Sequence, residues 1–311
     1  MIKHFLVGLA LSAAWAAQAA GQDAANAAPG TRRALVICGL PGDPPHRQLF
    51  AESTEKLHAG LIQNHGFAAE NIAVVWGETP TDKDGPAVKS SRGPATREAL
   101  AQAAADLEKV LKPEDTLWLF VLGHAHYDGR FSWLNLPGPD IQQVEFGKLL
   151  AGVRCREQVF FITTSASGFF LKPLAQSGRI VIAATEPDLE VNETVFPHKL
   201  AAALSAPPGY EEFDVDRDGR MTLLDLYLWT ARATAQDYAA GELLATEHAQ
   251  LDDTGDGRGT ELQAAFLPED LGGRLQAGKD PPLITAGEGA AARLIWLPSP
   301  PAPPQPPRTA D

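Results

Sequence analysis

Positive charge, cysteine and long apolar stretches are all scarce in this sequence. The 311 residues carry a formal net charge of −13 and contain no basic run, which disfavours a polyphosphate partner such as DNA and suits cations instead. After the N-terminal segment, no stretch stays apolar for long enough to cross a membrane. The sequence therefore argues against both a nucleic-acid partner and a membrane-spanning segment.

The two cysteines, Cys38 and Cys155, are predicted to stay apart. Cys38 closes one predicted strand and Cys155 precedes another, so in a parallel sheet they lie at opposite ends. A gap of several residues at about 3.3 Å each exceeds the roughly 7 Å between Cα atoms that a disulfide can span. We expect two free and mostly buried thiols.

The N-terminal segment has the pattern of a secretory signal. A basic tip at Lys3 precedes an apolar run from Phe5 to Ala17, and an A-x-A cleavage pattern ends at Ala19. The apolar run is too short to span a bilayer, and a membrane anchor is the alternative interpretation. We expect residues 1–20 to be a signal peptide, followed by a linker over 21–32, and the mature protein to be periplasmic or extracellular.

Apolar runs and helical patterns alternate from residue 34 onward. Five short apolar runs are typical of buried strands: ALVICGL, NIAVVWG, TLWLFVLG, VFFITT and RIVIAAT. Amphipathic patterns predict helices over 47–64 and 96–112, and also near 142–152 and 193–204. Strands that alternate with helices favour an α/β fold with a mostly parallel sheet covered on both faces.

Polar residues follow the third and the fourth of these apolar runs. Gly123-His124-Ala125-His126 comes after the third run, and Ser165-Ala166-Ser167-Gly168 comes after the fourth. In parallel sheets, ligands bind outside the carboxyl ends of the strands. The sequence therefore predicts a functional site at this edge of the sheet.

These two strand ends resemble those of the caspase-like cysteine peptidases, especially the legumain and metacaspase branches. The resemblance covers residues 33–205, and in that family one buried strand ends in a histidine and a second ends in C-x-S-G, where this sequence has Ser165-Ala166-Ser167-Gly168. It implies a three-layer α/β sandwich around a six-stranded sheet, and peptide cleavage by a Cys–His dyad. His124 matches the catalytic histidine and Ser165 the nucleophilic cysteine, with Ser167-Gly168 matching the S-G that follows.

Three departures from the family pattern bear on activity. Serine replaces the cysteine, Ala125 replaces the glycine after the histidine, and Thr163 replaces the acidic residue two before the nucleophile. A serine hydroxyl is a far weaker nucleophile than a thiolate and normally needs a histidine oriented by an acidic group. Asp128 is the nearby candidate for that group, and the segment lacks the G-x-S-x-G elbow of serine hydrolases.

Other interpretations of these residues stay open. His124 and His126 fit a solvated loop, or an H-x-H zinc pair for which no third ligand lies at a recognisable spacing. Ser165 and Ser167 fit close packing of strand against helix, or a helix cap. Cys38 falls at the same sheet edge, where it is either a substitute nucleophile or a buried apolar residue.

The segment DVDRDGRMTLLD, Asp214–Asp225, has the pattern of an EF-hand calcium loop. Carboxylates occupy positions 1, 3, 5 and 12, and Gly219 at position 6 permits the sharp turn. Aspartate in place of glutamate at position 12 shortens that arm, which weakens Ca²⁺ binding or favours Mg²⁺. The alternative is a solvated acidic loop. The predicted ligands are Asp214, Asp216, Asp218, the Arg220 carbonyl, Thr222 and Asp225.

A second and weaker loop, DDTGDGRGTELQ, begins at Asp252. Asp252, Thr254 and Asp256 match ligand positions, but Gln263 at position 12 removes the bidentate acid. EF-hands commonly occur in pairs, and the apolar Met221 at position 8 of the first loop is suited to pack against a partner loop. The second loop is therefore predicted to pair with the first and to be either a weak calcium site or a vestigial one.

The segments around the loops complete the predicted organisation. Residues 222–241 have the pattern of a helix that leaves the first loop, and ATEHAQL (245–251) that of a helix before the second. We expect a caspase-like domain over 33–206, an EF-hand-like calcium-binding region over 207–266 and an extension over 267–311. The extension ends in a proline-rich disordered tail.

Two function classes remain open for the predicted protein. One is a degenerate, inactive peptidase that binds calcium and a peptide or protein ligand. The other is an active hydrolase with His124 as base, Ser165 as nucleophile and the backbone amide after His124 as oxyanion donor. The sequence predicts neither the ligand nor an oligomeric state.

Overall fold

The computed structural model describes residues 30–188, 190–207 and 209–298. The predicted signal peptide, most of the predicted linker and the proline-rich tail from residue 299 lie outside these ranges. The described residues from Arg32 onward belong to one compact unit. No helix in the described ranges is long and apolar enough to cross a membrane.

Nine strands in the described part of the chain form two sheets. The main sheet has the order β2-β1-β3-β7-β8-β9, in which the first five are parallel and β9 is antiparallel to β8. Strands β4, β5 and β6 form a small antiparallel sheet. The fold class is therefore α/β with a mostly parallel six-stranded sheet, as predicted. The strands are β1 (Arg32–Cys38), β2 (Ile72–Trp76), β3 (Thr116–Leu122), β4 (Ala125–Tyr127), β5 (Ser132–Leu134), β6 (Ile141–Gln142), β7 (Glu157–Ile162), β8 (Arg179–Ala183) and β9 (Gln250–Asp252).

Helices connect the parallel strands, and the four predicted between residues 47 and 204 are present. Side chains cap two of them: Asp43 accepts a hydrogen bond from the His46 amide, and Thr96 accepts one from the Ala99 amide. The helices of the described chain are α1 (Pro44–Asn64), α2 (Pro86–Lys89), α3 (Arg97–Val110), α4 (Gln143–Leu149), α5 (Leu171–Leu174), α6 (Phe196–Ser205), α7 (Tyr210–Phe213) and α8 (Leu223–Ala240).

Alternate residues of each strand pack into two hydrophobic clusters, one on each face of the main sheet. On one face, Phe120 and Phe161 stack at 4.8 Å between ring centroids and pack with α1, α6 and α8. On the other face, Leu119 and Phe160 pack with α3, α4 and α5. Because both faces are buried, these strands appear in the sequence as continuous apolar runs.

The helix predicted over 245–251 is wrong. Residues 245–249 form no helix, and β9 adds to the sheet beside β8. The buried carboxylate of Glu247 accepts hydrogen bonds from the amides of Val195 and Phe196, and the His248 ring contacts Glu190. These tertiary contacts outweigh the local helix propensity of the segment. Part of the region assigned to calcium binding therefore shares the core of the main sheet.

Candidate active site and calcium loops

His124 and Ser165 lie at the same edge of the main sheet. Strands β3 and β7 are parallel neighbours, with Val121 opposite Ile162, so the chain leaves both strands side by side. Ser165 is buried, and its Oγ donates to the Ala125 carbonyl at 2.6 Å and accepts from the Ala125 amide at 3.2 Å. The serine hydroxyl is therefore held at both its proton and its lone pair by the backbone.

The His124 ring packs against the loop between β1 and α1. Its Nε2 lies 3.2 Å from the Pro41 carbonyl oxygen, and because a carbonyl only accepts, Nε2 carries the proton. The ring meets Phe50 and His46 edge-on, each at 5.4 Å between centroids. No hydrogen bond joins His124 to Ser165 within the described ranges. The serine therefore has no general base in this arrangement.

Asp128, the predicted candidate to orient His124, makes its hydrogen bonds elsewhere. Its Oδ1 accepts from the amides of Arg130 and Phe131 at 2.8 and 2.7 Å, and its Oδ2 accepts from the Trp133 indole at 2.8 Å. These donors, with the Phe131 amide the strongest, lower the pKa of Asp128. The carboxylate therefore stabilises the turn between β4 and β5.

The expected oxyanion donor, the Ala125 amide, is occupied by the serine itself. The backbone amide that follows Ser165, that of Ala166, donates to the Glu190 carbonyl oxygen at 2.9 Å. Ala166 also has a left-handed φ of 49°, which costs a non-glycine residue roughly 1–2 kcal/mol. Both amides are thus bound to protein oxygens, and the turn after β7 is under constraint.

Ser167 and Gly168 have packing roles. The Ser167 Oγ lies 3.1 Å from the Thr185 hydroxyl and accepts from the Thr185 amide at 3.1 Å. A Cβ placed on Gly168 would lie 2.4 Å from the backbone of Glu186, so a larger residue does not fit there. These contacts support the interpretation that small residues let strand and helix pack closely.

Neither cysteine is placed for catalysis. Cys38 is fully buried, and this burial raises the pKa of its thiol far above the usual range. Cys155 is half-buried, with a pKa raised by burial to about 11. Both cysteines are free, as predicted, and Cys38 acts as a buried apolar residue.

An apolar cavity of about 690 Å³ opens beside the turn that carries Ser165. Phe169 and Leu171 line it, together with Pro173, Pro187 and Lys172. Cavities of this size with apolar walls and few polar groups are typical of ligand sites. The cavity is suited to an apolar side chain of a peptide.

Two residues that sequence analysis missed lie next to His124. His46, in the first turn of α1, and Glu193, before α6, place ligand atoms within 4.8 Å of each other and of a His124 ring nitrogen. His124 therefore does have two ligand-type neighbours, although no third ligand was visible from spacing. The available signal was position, because His46 and Glu193 follow the carboxyl ends of β1 and β8.

The first calcium loop brings three carboxylates together. Oxygens of Asp214, Asp216 and Asp218 lie within 4.8 Å of one another. Asp214 accepts from the amides of Asp218 and Gly219, each at 3.1 Å, and Gly219 has the positive φ that the sharp turn requires. Within the described chain, Asp216 Oδ2 and both side-chain oxygens of Asp218 are buried without a hydrogen bond, and Asp218 Oδ1 also has no ion-pair partner, whereas the other two oxygens face Arg293. Such orphaned oxygens fit a divalent cation.

Asp225 lies outside this group of three. Its Oδ1 accepts from the Val215 amide at 2.9 Å, and its Oδ2 accepts from the Thr222 amide and hydroxyl at 3.0 and 2.8 Å. Thr222 and Asp225 together form a capping box at the start of α8. Burial, with Asp216 nearby, raises the pKa of Asp225 to about 7. In this arrangement Asp225 stabilises the loop through the Val215 amide and caps the start of α8.

An arginine that sequence analysis missed lies against these carboxylates. The NH2 nitrogen of Arg293 is 2.7 Å from Asp218 Oδ2, and its Nε is 3.4 Å from Asp216 Oδ2. Burial, followed by the charge of Asp218, raises the pKa of Asp216, and Arg293 opposes that rise. The guanidinium therefore offsets part of the negative charge of the cluster.

The first loop pairs with a different segment from the one expected. The Met221 carbonyl accepts from the Leu297 amide at 2.8 Å, and Thr222 is bridged to Trp296 in an antiparallel manner. The second loop instead continues from β9 in the main sheet. The expected pairing of the two loops is therefore not present among the described residues. The backbone of residues 296–297 pairs with the first loop in place of the second loop.

The second loop obtains an acid from outside its own sequence. Oxygens of Asp252, Asp256 and Glu288 lie within 4.8 Å of one another, and Glu288 accepts from the Thr254 hydroxyl at 2.7 Å. Gln263, at position 12, bonds instead to a buried tyrosine hydroxyl of α8. Burial raises the pKa of Glu288. Glu288, which is distant in sequence, therefore supplies the third carboxylate that Gln263 at position 12 cannot provide.

No protein-family model matches this chain, and a search of the curated proteins finds no match to it. The resemblance to caspase-like peptidases therefore stays a prediction from residues 33–205.

Proposed function

We propose that this chain is an exported calcium-binding protein with a caspase-like sheet whose edge binds a peptide or protein without cleaving it. The observation that carries the calcium assignment is the close group of the Asp214, Asp216 and Asp218 carboxylates, in which one arginine faces two buried oxygens and Asp218 Oδ1 has no partner. Leaving such groups unpaired is costly, and a hard cation with oxygen preference satisfies them.

The first loop would hold the ion with the carboxylates of Asp214, Asp216 and Asp218. The Arg220 carbonyl and Thr222 follow at the next positions of the calcium-loop pattern. Asp225 would act as a ligand only after its hydrogen bonds to Thr222 break, so it is the predicted ligand that would need the largest rearrangement. The bound ion neutralises the repulsion between the carboxylates and orders the loop. Mg²⁺ is the competing ion, because the ligand arm at position 12 is short.

Calorimetric titration of the purified protein with Ca²⁺ tests this assignment. We expect Asp218→Asn to lose the strongest binding event, because it removes a buried charge that faces the ion. Asp256→Asn is the matched control in the weaker loop and should leave that event in place. Equal binding by the wild-type protein and Asp218→Asn would contradict the assignment.

The non-catalytic role of the sheet edge is supported by the backbone contacts of Ser165. Its hydroxyl is bound to the backbone of Ala125, while the His124 ring bonds to Pro41 on another loop. The apolar cavity beside Phe169 remains open to a ligand side chain. Binding without cleavage accounts for an open cavity beside a serine that has no base.

A hydrolase that uses Ser165 with His124 is the second candidate. It is favoured by the left-handed φ of Ala166, since strained residues concentrate at functional sites. A fluorophosphonate probe separates the two candidates. We expect no labelling of the wild-type protein with or without Ca²⁺, whereas labelling that Ser165→Ala abolishes would establish the hydrolase.

A further inference from the structure

The carboxyl edge of the main sheet carries three side chains that could act together. His46 comes from α1, His124 follows β3, and Glu193 precedes α6, and one ligand atom of each lies within 4.8 Å of the others. We propose that these three side chains bind a first-row divalent transition-metal ion such as Zn²⁺. This site is separate from both acidic loops and does not depend on calcium binding there.

Each histidine has one ring nitrogen bound to a protein oxygen. Asp43 Oδ1 lies 2.5 Å from Nδ1 of His46, and the Pro41 carbonyl accepts from Nε2 of His124. Metal-ligating histidines nearly always donate their second nitrogen to a carboxylate or a carbonyl, which fixes the tautomer and the ring orientation. His46 therefore already has the outer partner of a metal ligand in Asp43, with its Nε2 facing Glu193.

Glu193 completes the donor set. Its Oε2 is 2.6 Å from Nε2 of His46, while its Oε1 is buried without a hydrogen-bond partner among the described residues. A metal ion placed between Nε2 of His46 and Glu193 would take both as ligands and would also give the orphaned oxygen a partner.

The chemistry of the donors selects the ion. Imidazole nitrogen suits zinc, cobalt, nickel and copper, whereas Ca²⁺ and Mg²⁺ take oxygen ligands almost exclusively. Two histidines and one glutamate are three protein ligands, which leaves a fourth position for water or for a carboxylate or carbonyl group of a ligand at the sheet edge. His124 bound to a metal ion is also unable to act as a base for Ser165.

Cobalt absorption spectroscopy tests the site without any assay of activity. The purified protein is freed of transition metals and kept in excess Ca²⁺ and Mg²⁺, which fill the acidic loops, and Co²⁺ is then added. We expect one equivalent to bind with a visible absorption band of nitrogen-ligated Co²⁺, and Zn²⁺ to displace it. Glu193→Gln and His46→Gln should abolish the band.

Asp43→Asn and His126→Gln sharpen the test. Asparagine caps a helix as well as aspartate, so Asp43→Asn keeps the cap of α1 but should weaken Co²⁺ binding about 10–100-fold. His126 is exposed and bonds to Asn135, so His126→Gln should bind Co²⁺ as the wild type does. Asp216→Asn should also keep the band, which separates this site from the calcium proposal.

Two results would overturn the metal site. One is the absence of the band in the wild-type protein at millimolar Co²⁺. The other is an unchanged Co²⁺ affinity in Glu193→Gln and Asp43→Asn, whose native-like thermal melting would show that both variants are folded.

Discussion

At the scale of single residues, the charge balance of the first acidic loop, the predicted calcium loop Asp214–Asp225, depends on Arg293. The three grouped carboxylates repel one another, and the guanidinium lies on two of them, Asp216 and Asp218. A divalent cation would bind the same oxygens. Arg293 and a bound ion would therefore offset the charge of the same carboxylates. When Arg293 is removed, the ion should stabilise the loop more, and when the ion is removed, Arg293 should matter more.

We predict that Arg293→Gln destabilises the calcium-free protein by about 1–3 kcal/mol, because it leaves buried carboxylates without their counter-charge. The gain in stability on adding Ca²⁺ should then be larger than in the wild-type protein. Urea unfolding with Ca²⁺ and with a chelator measures both quantities.

Arg217→Gln is the matched control for that variant. Arg217 pairs with Asp280 at 3.3 Å, and both side chains are mostly exposed, so its loss should cost no more than about 1 kcal/mol. A chelated Arg293→Gln protein as stable as chelated Arg217→Gln would show that the guanidinium has no such role.

At the scale of secondary-structure elements, one buried carboxylate holds the start of a helix. Glu247, just before β9, accepts from the amides of Val195 and Phe196 at the start of α6 and from the Tyr238 hydroxyl. Burial raises the pKa of Glu247 to about 7. The contact links the β9 segment to α6 and replaces the local cap that α6 lacks.

The burial of Glu247 predicts a pH dependence of stability, because it raises the pKa of this group more than the amide donors lower it. Between the ordinary pKa of a glutamate, near 4.5, and about 7, the folded protein keeps a proton on Glu247 that the unfolded chain releases. The contribution of this group is therefore full below pH 4.5 and declines as the pH rises through 7, by about 3 kcal/mol in all. Urea unfolding at pH 5 and pH 7.5 measures the decline.

Glu247→Gln should reduce this difference between the two pH values, because glutamine does not titrate. The exposed Glu242 lies in the same segment, and Glu242→Gln should keep the wild-type difference. If Glu247→Gln and the wild-type protein lose the same free energy between pH 5 and pH 7.5, another group is responsible.

At the scale of the whole molecule, the sequence predicts the strands and helices whose apolar residues follow a regular local pattern. The five parallel strands were predictable because side chains on both faces of the sheet are buried, Phe161 on one face and Phe160 on the other. Their order along the chain also placed His124 and Ser165 at one edge. Strand β9 was missed because it has only three residues. The segment before it has the composition of a helix, but the contacts of the buried Glu247 with α6 hold it in a non-helical conformation.

The rest of the candidate site depends on contacts between distant segments. His46, Glu193, Glu288 and Arg293 come from loops and helix ends with no characteristic spacing, so no pattern in the sequence connects them to their partners. The direction of a side chain is also a tertiary property. Asp128 was placed correctly on its loop, but its carboxylate bonds to the turn and not to His124.

Thermal melting with Ca²⁺ and with a chelator tests the calcium assignment most directly. The grouped carboxylates should bind the ion only in the folded protein, which adds about 2.7 kcal/mol at a hundredfold excess over the dissociation constant. We predict a higher midpoint in Ca²⁺ for the wild-type protein, most of which Asp216→Asn removes, while Asp252→Asn removes much less. Coincident wild-type midpoints in Ca²⁺ and in chelator would contradict the account and leave the first loop as a solvated acidic turn.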